Sequence, residues 1–265
     1  MSAVLNPDII LADKTDQGGT LTITNSGDVP IKFRGRSSVM TKEAPDGINL
    51  MLPYGDKPTD LCSQTDIQSV SVTAKSKGWN ANRVMISSGR ALWDIYPSED
   101  TVIQPKDSLI IKICSVKGNN KAGTVTFQMI FHTSSVGNSF SADWKKNMSP
   151  KITGFSAKFI ENAVRQFIEP DTVASKQCEG FPLMPYVNPP PKPGPTPPRP
   201  IKKVHITWTT ENASSCNLKY GTSSHDEPES GEVFWDPIDG VKEVTLTAYG
   251  EKQIGSETQT TIIAN

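Results

Sequence analysis

The alternating segment between residues 204 and 216 constrains the fold of this chain more than any other feature. It reads V-H-I-T-W-T-T-E-N-A-S-S-C, and its apolar Val204, Ile206 and Trp208 alternate with polar residues. Because successive side chains of a β-strand point to opposite faces, this pattern buries one face and leaves the other in water. The turn-forming residues 212–215 follow, and the alternation then resumes. The segment therefore predicts two consecutive strands of a β-sandwich, with Trp208 in its core.

The first half of the chain shows the same alternation in several short segments. In residues 124–131, one face carries only apolar side chains, namely Val125, Phe127, Met129 and Phe131. Proline and glycine are frequent, with 21 and 19 residues, which suits short strands joined by turns. We therefore predict an all-β fold of two Ig-like antiparallel β-sandwich domains, the second with an inserted short helix and a proline-rich segment.

The inserted material begins after a short predicted strand at residues 152–157. Apolar residues then recur with helical spacing, and they are Phe159, Ile160, Ala163, Val164, Phe167 and Ile168. One apolar stripe of this kind predicts an amphipathic helix over residues 158–169, ended by Pro170. Proline dominates residues 185–200, which excludes a helix or a central strand and predicts an extended, polyproline II-like segment.

Several pieces of the second half resemble bacterial and phage Ig-like modules. They are I-T-G-F-S-A at 152–157, the tryptophan strand and turn at 204–216, S-G at 230–231, and V-T-L-T-A-Y-G at 244–250 followed by T-Q-T-T-I-I. Such modules occur in surface proteins, phage structural proteins and appendages of secreted enzymes. The resemblance implies an Ig-like sandwich with many possible roles, whereas the first half is Ig-like only generically.

The resemblance also bears on the domain boundaries. In those modules the first strand is followed closely by the tryptophan strand, whereas residues 158–200 intervene here. Either these residues are an insertion between the first two strands, or the proline-rich segment is the linker between domains. We favour the insertion, and we predict an N-terminal β-sandwich domain at residues 1–147 and an Ig-like domain at residues 148–265.

The four cysteines are Cys62, Cys114, Cys178 and Cys216. They form no C-x-x-C pair, and the chain has only three histidines, so we expect no structural zinc site. If each predicted domain closed its own disulfide, the pairs would be Cys62–Cys114 and Cys178–Cys216. The alternative is four buried thiols, as in a cytosolic protein.

Charge and hydropathy exclude some classes of partner. Lysine and arginine total 27 against 28 acidic residues, so no excess of positive charge favours nucleic acid. The sequence has no stretch near the ~20 apolar residues that a membrane-spanning helix needs. The N-terminal text M-S-A-V-L-N-P-D lacks the basic and apolar regions of a Sec signal peptide. We therefore expect a protein that is cytoplasmic, or that leaves the cell by another route or as part of a particle.

One candidate binding site consists of tryptophans and amides. Trp79 lies in the turn-like stretch K-G-W-N-A-N, beside Asn80 and Asn82. An exposed ring stacks on a sugar while neighbouring amides bond to its hydroxyl groups, so this stretch is a candidate glycan site. Trp235 is a second aromatic residue of this kind, although most tryptophans are partly buried by packing.

A second candidate site is an acidic stretch near residue 230. Carboxylates on loops are ligands that Ca²⁺ prefers, and the candidates are Asp226, Glu229, Asp236 and Asp239. Their spacing matches no EF-hand loop, and a solvated acidic loop explains the same residues. We expect no cofactor.

The sequence contains no recognisable catalytic constellation. His132, His205 and His225 share no catalytic spacing, and the common nucleophile, metal and phosphate motifs are absent. We therefore expect a non-catalytic binding or assembly module, part of a bacterial or phage-like surface, tail or toxin assembly. It would act through protein–protein contacts, including main-chain pairing to an exposed edge strand. The alternative is a carbohydrate-binding protein that uses exposed tryptophans.

Overall fold

The computed structural model describes residues 1–37, 46–133, 137–162 and 201–264 of the chain. Regular structure in these ranges is almost entirely β-strand, and the exceptions are two 3-10 turns at Asp66–Gln68 and Glu251–Gln253. The predicted all-β class is therefore confirmed. No helix in this part of the chain is long and apolar enough to cross a membrane.

The first half of the chain forms strands β1 to β12. Their bounds are β1 Ser2–Asn6, β2 Ile9–Leu11, β3 Gln17–Thr24, β4 Ile31–Phe33, β5 Gly47–Pro53, β6 Ser71–Ala74, β7 Trp79–Ser87, β8 Arg90–Pro97, β9 Thr101–Ile103, β10 Ser108–Val116, β11 Gly123–His132 and β12 Gly137–Asn147. A four-stranded sheet has the order β1-β3-β10-β6, a six-stranded sheet has the order β2-β12-β11-β5-β8-β7, and β4 pairs with β9. The β2–β12 pair is parallel, and the other neighbours are antiparallel.

One hydrophobic cluster covers the inner faces of the two larger sheets. The predicted apolar face of β11 is buried in it, with Val125, Phe127, Met129 and Phe131 all inward. Burying each side chain of this size contributes about 1.5–3 kcal/mol. Trp144 packs edge-on against Phe127 with the ring centroids 5.6 Å apart, and its indole Nε1 donates to a backbone carbonyl at 2.8 Å.

The second half forms strands β13 to β19. Their bounds are β13 Lys151–Asn162, β14 Ile201–Glu211, β15 Ser215–Tyr220, β16 Ser223–Glu227, β17 Gly231–Trp235, β18 Glu243–Tyr249 and β19 Ser256–Ile262. They make a three-stranded sheet, β13-β14-β17, and a four-stranded sheet, β16-β15-β18-β19. Val204, Ile206 and Trp208 are buried in a second hydrophobic cluster, as their alternation predicts.

The predicted helix at 158–169 is wrong where the structure describes it. Residues 158–162 are the last part of β13, and Phe159 lies opposite Val204 of β14. The amide of Phe159 also donates to the carbonyl of Ala264 at 2.8 Å, so backbone pairing on both sides outweighs the local helical pattern. The rest of that segment and the proline-rich residues 185–200 lie outside the described residues. Because β13 and β14 are paired neighbours, residues 163–200 connect two adjacent strands.

A polar junction joins the two halves around the second 3-10 turn. Lys145 of β12 forms an ion pair with Glu251, and Asn147 donates to the same carboxylate at 3.0 Å. Lys252 forms a second ion pair, with Asp8. The hydrogen bonds from Lys145 and Asn147 hold the pKa of Glu251 below its usual range.

Candidate functional site

The residues predicted to bind a sugar do not share a surface. Trp79 opens β7 with its ring turned inward, where it packs edge-on against Phe33 at a centroid distance of 5.2 Å. Asn80 and Asn82 alternate with it and are exposed on the opposite face of the sheet, and Asn82 donates to Tyr96 Oη at 2.8 Å. The stacking ring and the amides that the glycan interpretation needs are therefore separated by the sheet.

Trp235 belongs to the second hydrophobic cluster. It is partly buried and packs on Tyr220, with the ring centroids 5.8 Å apart. His225 of β16 lies on the other side at 5.0 Å. Trp235 thus lies at the side of the second sandwich where β16 and β17 meet, and it shares no surface patch with Trp79.

The candidate calcium ligands do not converge. Asp236 forms an ion pair with Lys203 at 2.6 Å, and Asp226 accepts a hydrogen bond from Asn217 at 2.8 Å. Among the described residues, no three His, Cys, Asp or Glu side chains are placed to share a metal ion. A shared calcium site on Asp226, Glu229, Asp236 and Asp239 therefore finds no support among the described residues, where Asp226 and Asp236 bind separate partners.

Of the two alternatives for the cysteines, the Cys62–Cys114 disulfide is not formed. Both are free thiols, because Cys62 is buried in the first core while Cys114 lies in the outward-facing row of β10. Cys216 is also free and buried, and Cys178, its predicted partner, lies outside the described residues. Burial raises the pKa of the Cys62 thiol to about 12.

Lys146 is a charged side chain in the interior of the first sandwich. It is fully buried, and its ammonium group donates to the backbone carbonyl of Asp60 and, at 2.6 Å, to Asn119 Oδ1. Burial lowers the pKa of Lys146 to about 8. These contacts connect the loop that follows β5, through Asp60, to the loop that precedes β11, through Asn119. Lys146 therefore links two loops inside the fold and is not on a surface that could bind a ligand.

The outer face of the six-stranded sheet carries an apolar row of Met51, Leu92 and Met85. Val84 precedes Met85 on β7, and we call these four residues the outer-face patch: Met51, Val84, Met85 and Leu92. Strand register sets it, since Met51 lies opposite Leu92 and Leu92 lies opposite Met85. Val84 has no partner on β8 because the register shifts there, as in a β-bulge. Val84 is 60% exposed and Met85 is 51% exposed.

A polar row lies next to the outer-face patch on the same face. Asn49, Asp94 and Asn82 are opposite one another on β5, β8 and β7. Gly47 leaves room beside Asp94, because a Cβ at Gly47 would lie 3.3 Å from Asp94 Oδ1 and 2.7 Å from a backbone carbonyl oxygen. His132 Nδ1 donates to the Gly47 carbonyl at 2.9 Å. The apolar row is thus bordered by polar groups.

Asp94 is the acidic residue of this polar row. Its Oδ1 atom is buried and has no hydrogen-bond partner. Burial raises the pKa of Asp94 above its usual range, against the opposing charges of His132 and Arg36. Arg36 itself donates to Tyr96 Oη at 2.6 Å and lies over that ring. The row therefore offers hydrogen-bonding groups beside an apolar surface, and Asn82 among them is held by its bond to Tyr96.

The outer-face patch is not visible in the sequence alone. Met51, Met85 and Leu92 come from three strands, and only the pairing register makes them neighbours. One signal was present: V-M-I at residues 84–86 interrupts the alternation of β7 with consecutive apolar residues, which is typical of a bulge or an exposed apolar side chain.

Comparisons with known proteins add little. No protein-family model matches this chain, and no curated protein matches it. Among solved structures, the CupB2 chaperone of Pseudomonas aeruginosa is similar with a TM-score of 0.25 and 10% sequence identity, over 97% of this chain and 96% of that chain. A likeness this distant leaves the function to be argued from the surface of the molecule.

Proposed function

We propose that this chain is a non-catalytic protein-binding module that joins an assembly through the outer-face patch. Exposed apolar side chains that adjoin one another mark protein contact sites, and methionine is enriched at such interfaces. The observation that carries the proposal is the row from Met51 through Leu92 to the exposed Met85 and Val84.

The outer-face patch and the polar row beside it together suit a specific protein interface. Each large apolar side chain that a partner covers contributes about 1.5–3 kcal/mol. Methionine adapts to irregular partner surfaces because its chain is unbranched and polarizable. The adjacent polar row around Asp94 supplies hydrogen-bonding groups at the border of the apolar area, which is the usual anatomy of an interface.

The assembly we propose is of the bacterial or phage type: a surface, tail or toxin assembly. The resemblance of residues 152–157 and 204–216 to bacterial and phage Ig-like modules supports this choice. A role in glycan binding gains no comparable support, since Trp79 is turned inward and away from Asn80.

The test is a comparison of partner recovery in the native host. A tagged chain carrying Val84→Glu and Met85→Glu is expected to recover at least about tenfold less partner than the unchanged chain, because two charges replace apolar contacts. The matched control carries Val4→Glu and Val29→Glu, which alter valines that are exposed elsewhere. Quantitative mass spectrometry measures the recovered proteins.

The control decides the outcome. If Val4→Glu with Val29→Glu reduces recovery as much as the patch variant does, the contact is not at the outer-face patch. Equal recovery of the partner by the unchanged chain, the patch variant and the control variant would also contradict the proposal. Benzoylphenylalanine at position 85 should also cross-link to the partner, whereas the same group at exposed Lys112 of the other sheet should not.

A further inference from the structure

The second sandwich is closed on one side and open on the other. On the closed side, the amide of Ala264 donates to the carbonyl of Ala157 at 3.0 Å, and Phe159 returns a bond to Ala264. On the open side, β16 and β17 are the end strands of their sheets. In the part of the chain that the structure describes, each of them pairs along one edge only.

The edge of β17 has apolar groups on both faces. Trp235 and Val233 point inward beside the open side and are only partly buried. Phe234 points outward, is 48% exposed and stacks on His205 with the ring centroids 4.4 Å apart. A strand added to this edge would place alternate side chains beside Trp235 and beside Phe234.

The same side of the molecule is strongly acidic. Residues 221–240 contain six carboxylates and no lysine or arginine. Lys203 pairs with Asp236, and His205 bonds to Glu232 at 2.8 Å. The other carboxylates have no ion pair among the described residues, and they are Asp226, Glu227, Glu229 and Asp239.

The negative charge of these carboxylates determines which kind of strand can pair with the free edge of β17. A second copy of the chain would bring the same carboxylates against one another, and like charges on neighbouring strands are destabilising. A strand that carries lysine or arginine on its outward face would meet Glu232 and Asp236 instead. Both carboxylates are accessible, since their side chains are 61% and 78% exposed.

We propose that the free edge of β17 binds an extended, basic polypeptide segment as an added strand. Apolar side chains of that segment pack beside Trp235 at the open side of the sandwich. Its alternate lysine or arginine side chains lie on the outer face, near Glu232 and Asp236. This site is separate from the outer-face patch, so either can fail without the other.

A peptide of nine residues that alternates lysine and valine tests the proposal on the full chain. Labelled at one end, it is expected to bind at least about tenfold more tightly than its glutamate–valine counterpart, measured by fluorescence anisotropy. Glu232→Lys with Asp236→Lys should weaken binding by about tenfold. Asp28→Lys with Glu99→Lys makes the same change in net charge at exposed sites of the first half, and should alter binding by less than about twofold.

A third peptide separates strand addition from general charge attraction. Full N-methylation keeps the charge and the side chains but removes every backbone donor, so this peptide should lose the binding. Equal binding by the methylated peptide, equal weakening by Asp28→Lys with Glu99→Lys, or no binding of the lysine peptide would each overturn the proposal. Circular dichroism of the variants confirms that they fold.

Discussion

Cys62 and Cys114 are chemically different thiols within one half of the chain. Cys62 is buried among apolar side chains, which raises its pKa to about 12, whereas Cys114 is partly exposed on β10. Thiolate is the reactive form, so burial slows alkylation through both access and ionisation. The same reasoning applies to Cys216, whose pKa burial also raises.

We therefore expect N-ethylmaleimide to modify Cys114 at least about tenfold faster than Cys62 or Cys216 in the folded protein. Peptide mapping by mass spectrometry over time measures each rate separately. In denaturant the three rates should become similar. Modification of Cys62 at the rate of Cys114 without denaturant would contradict the buried position of Cys62.

Lys146 gives the protein an unusual dependence on pH. Its pKa is about 8 in the folded state because burial disfavours the charged form, against 10.5 for an ordinary lysine. Between these two values the unfolded chain binds a proton that the folded chain has released. The free energy of unfolding therefore rises with pH in this window, by up to about 3 kcal/mol.

Lys146→Met should remove that rise. The measurement is urea denaturation of both proteins at pH 7, 8.5 and 10, and the quantity is the difference between their free energies of unfolding. Cys62 acts in the opposite direction above pH 9, because the folded state keeps its proton. Since both proteins contain Cys62, its effect cancels, and a difference that stays constant with pH would refute the assignment.

At the scale of elements, close packing across the six-stranded sheet depends on Gly47 of β5. A Cβ there would lie 2.7 Å from the carbonyl oxygen of Ile95 on β8, so one strand would have to move. We expect Gly47→Ala to lower the free energy of unfolding by about 1–3 kcal/mol, measured by urea denaturation. The control is Gly137→Ala in β12, whose nearest contact is 3.7 Å away and which should change stability by less than about 0.5 kcal/mol. Equal effects of the two changes would mean that space at Gly47 is not the constraint.

Strands of period two could be predicted because their pattern is local. In residues 124–131 and in residues 204–208, the alternation of the sequence identifies one apolar face. In the structure, the apolar face of each segment is buried. The predicted helix was wrong over residues 158–162 because adjacent apolar residues fit a helix as well as a strand with both faces covered. Phe159 packs against the second core, and Ile160 lies on the other face opposite Lys203. The pairing that decides between a helix and a strand at residues 158–162 involves partners 39 to 47 positions away in the chain.

The candidate site could not be predicted for the same reason. Met51, Leu92 and Met85 become neighbours through the register of three strands, which no local pattern contains. The sequence did indicate the acidic stretch around β16 and β17, but not that Asp226 and Asp236 bind separate partners. Nor could it indicate that Trp79 faces inward, since that depends on where β7 begins.

At the scale of the whole molecule, exposed charges contribute to the contact between the two halves. Glu251 bonds to Lys145 and Asn147 across the junction, and its pKa is lowered mainly by the first of these bonds. A lowered carboxyl pKa stabilises the folded state above the ordinary value near 4.5, and that contribution is lost as pH falls through the folded pKa.

Glu251→Gln should therefore lower the thermal midpoint at pH 7, and the difference from the unchanged protein should shrink below pH 4.5. High salt should shrink it as well, because the pair is exposed to solvent. Differential scanning calorimetry at pH 7 and pH 3.5, with and without added salt, measures both trends. Glu243→Gln, an exposed acid that has no ion pair among the described residues, serves as the control. A difference that persists at pH 3.5 would show that the junction does not depend on this charge.

The pairing of Asn162 with Ile201 has a consequence for how this protein can change. These two residues lie opposite each other on β13 and β14, so the sandwich fixes both ends of the intervening sequence. Closing a chain of twice the length costs only about 0.6 kcal/mol more. Length and composition between these two residues can therefore vary while β13 and β14 keep their register. The segment between Asn162 and Ile201 can therefore be exchanged for another, by evolution or by protein engineering, without redesigning the domain that holds it.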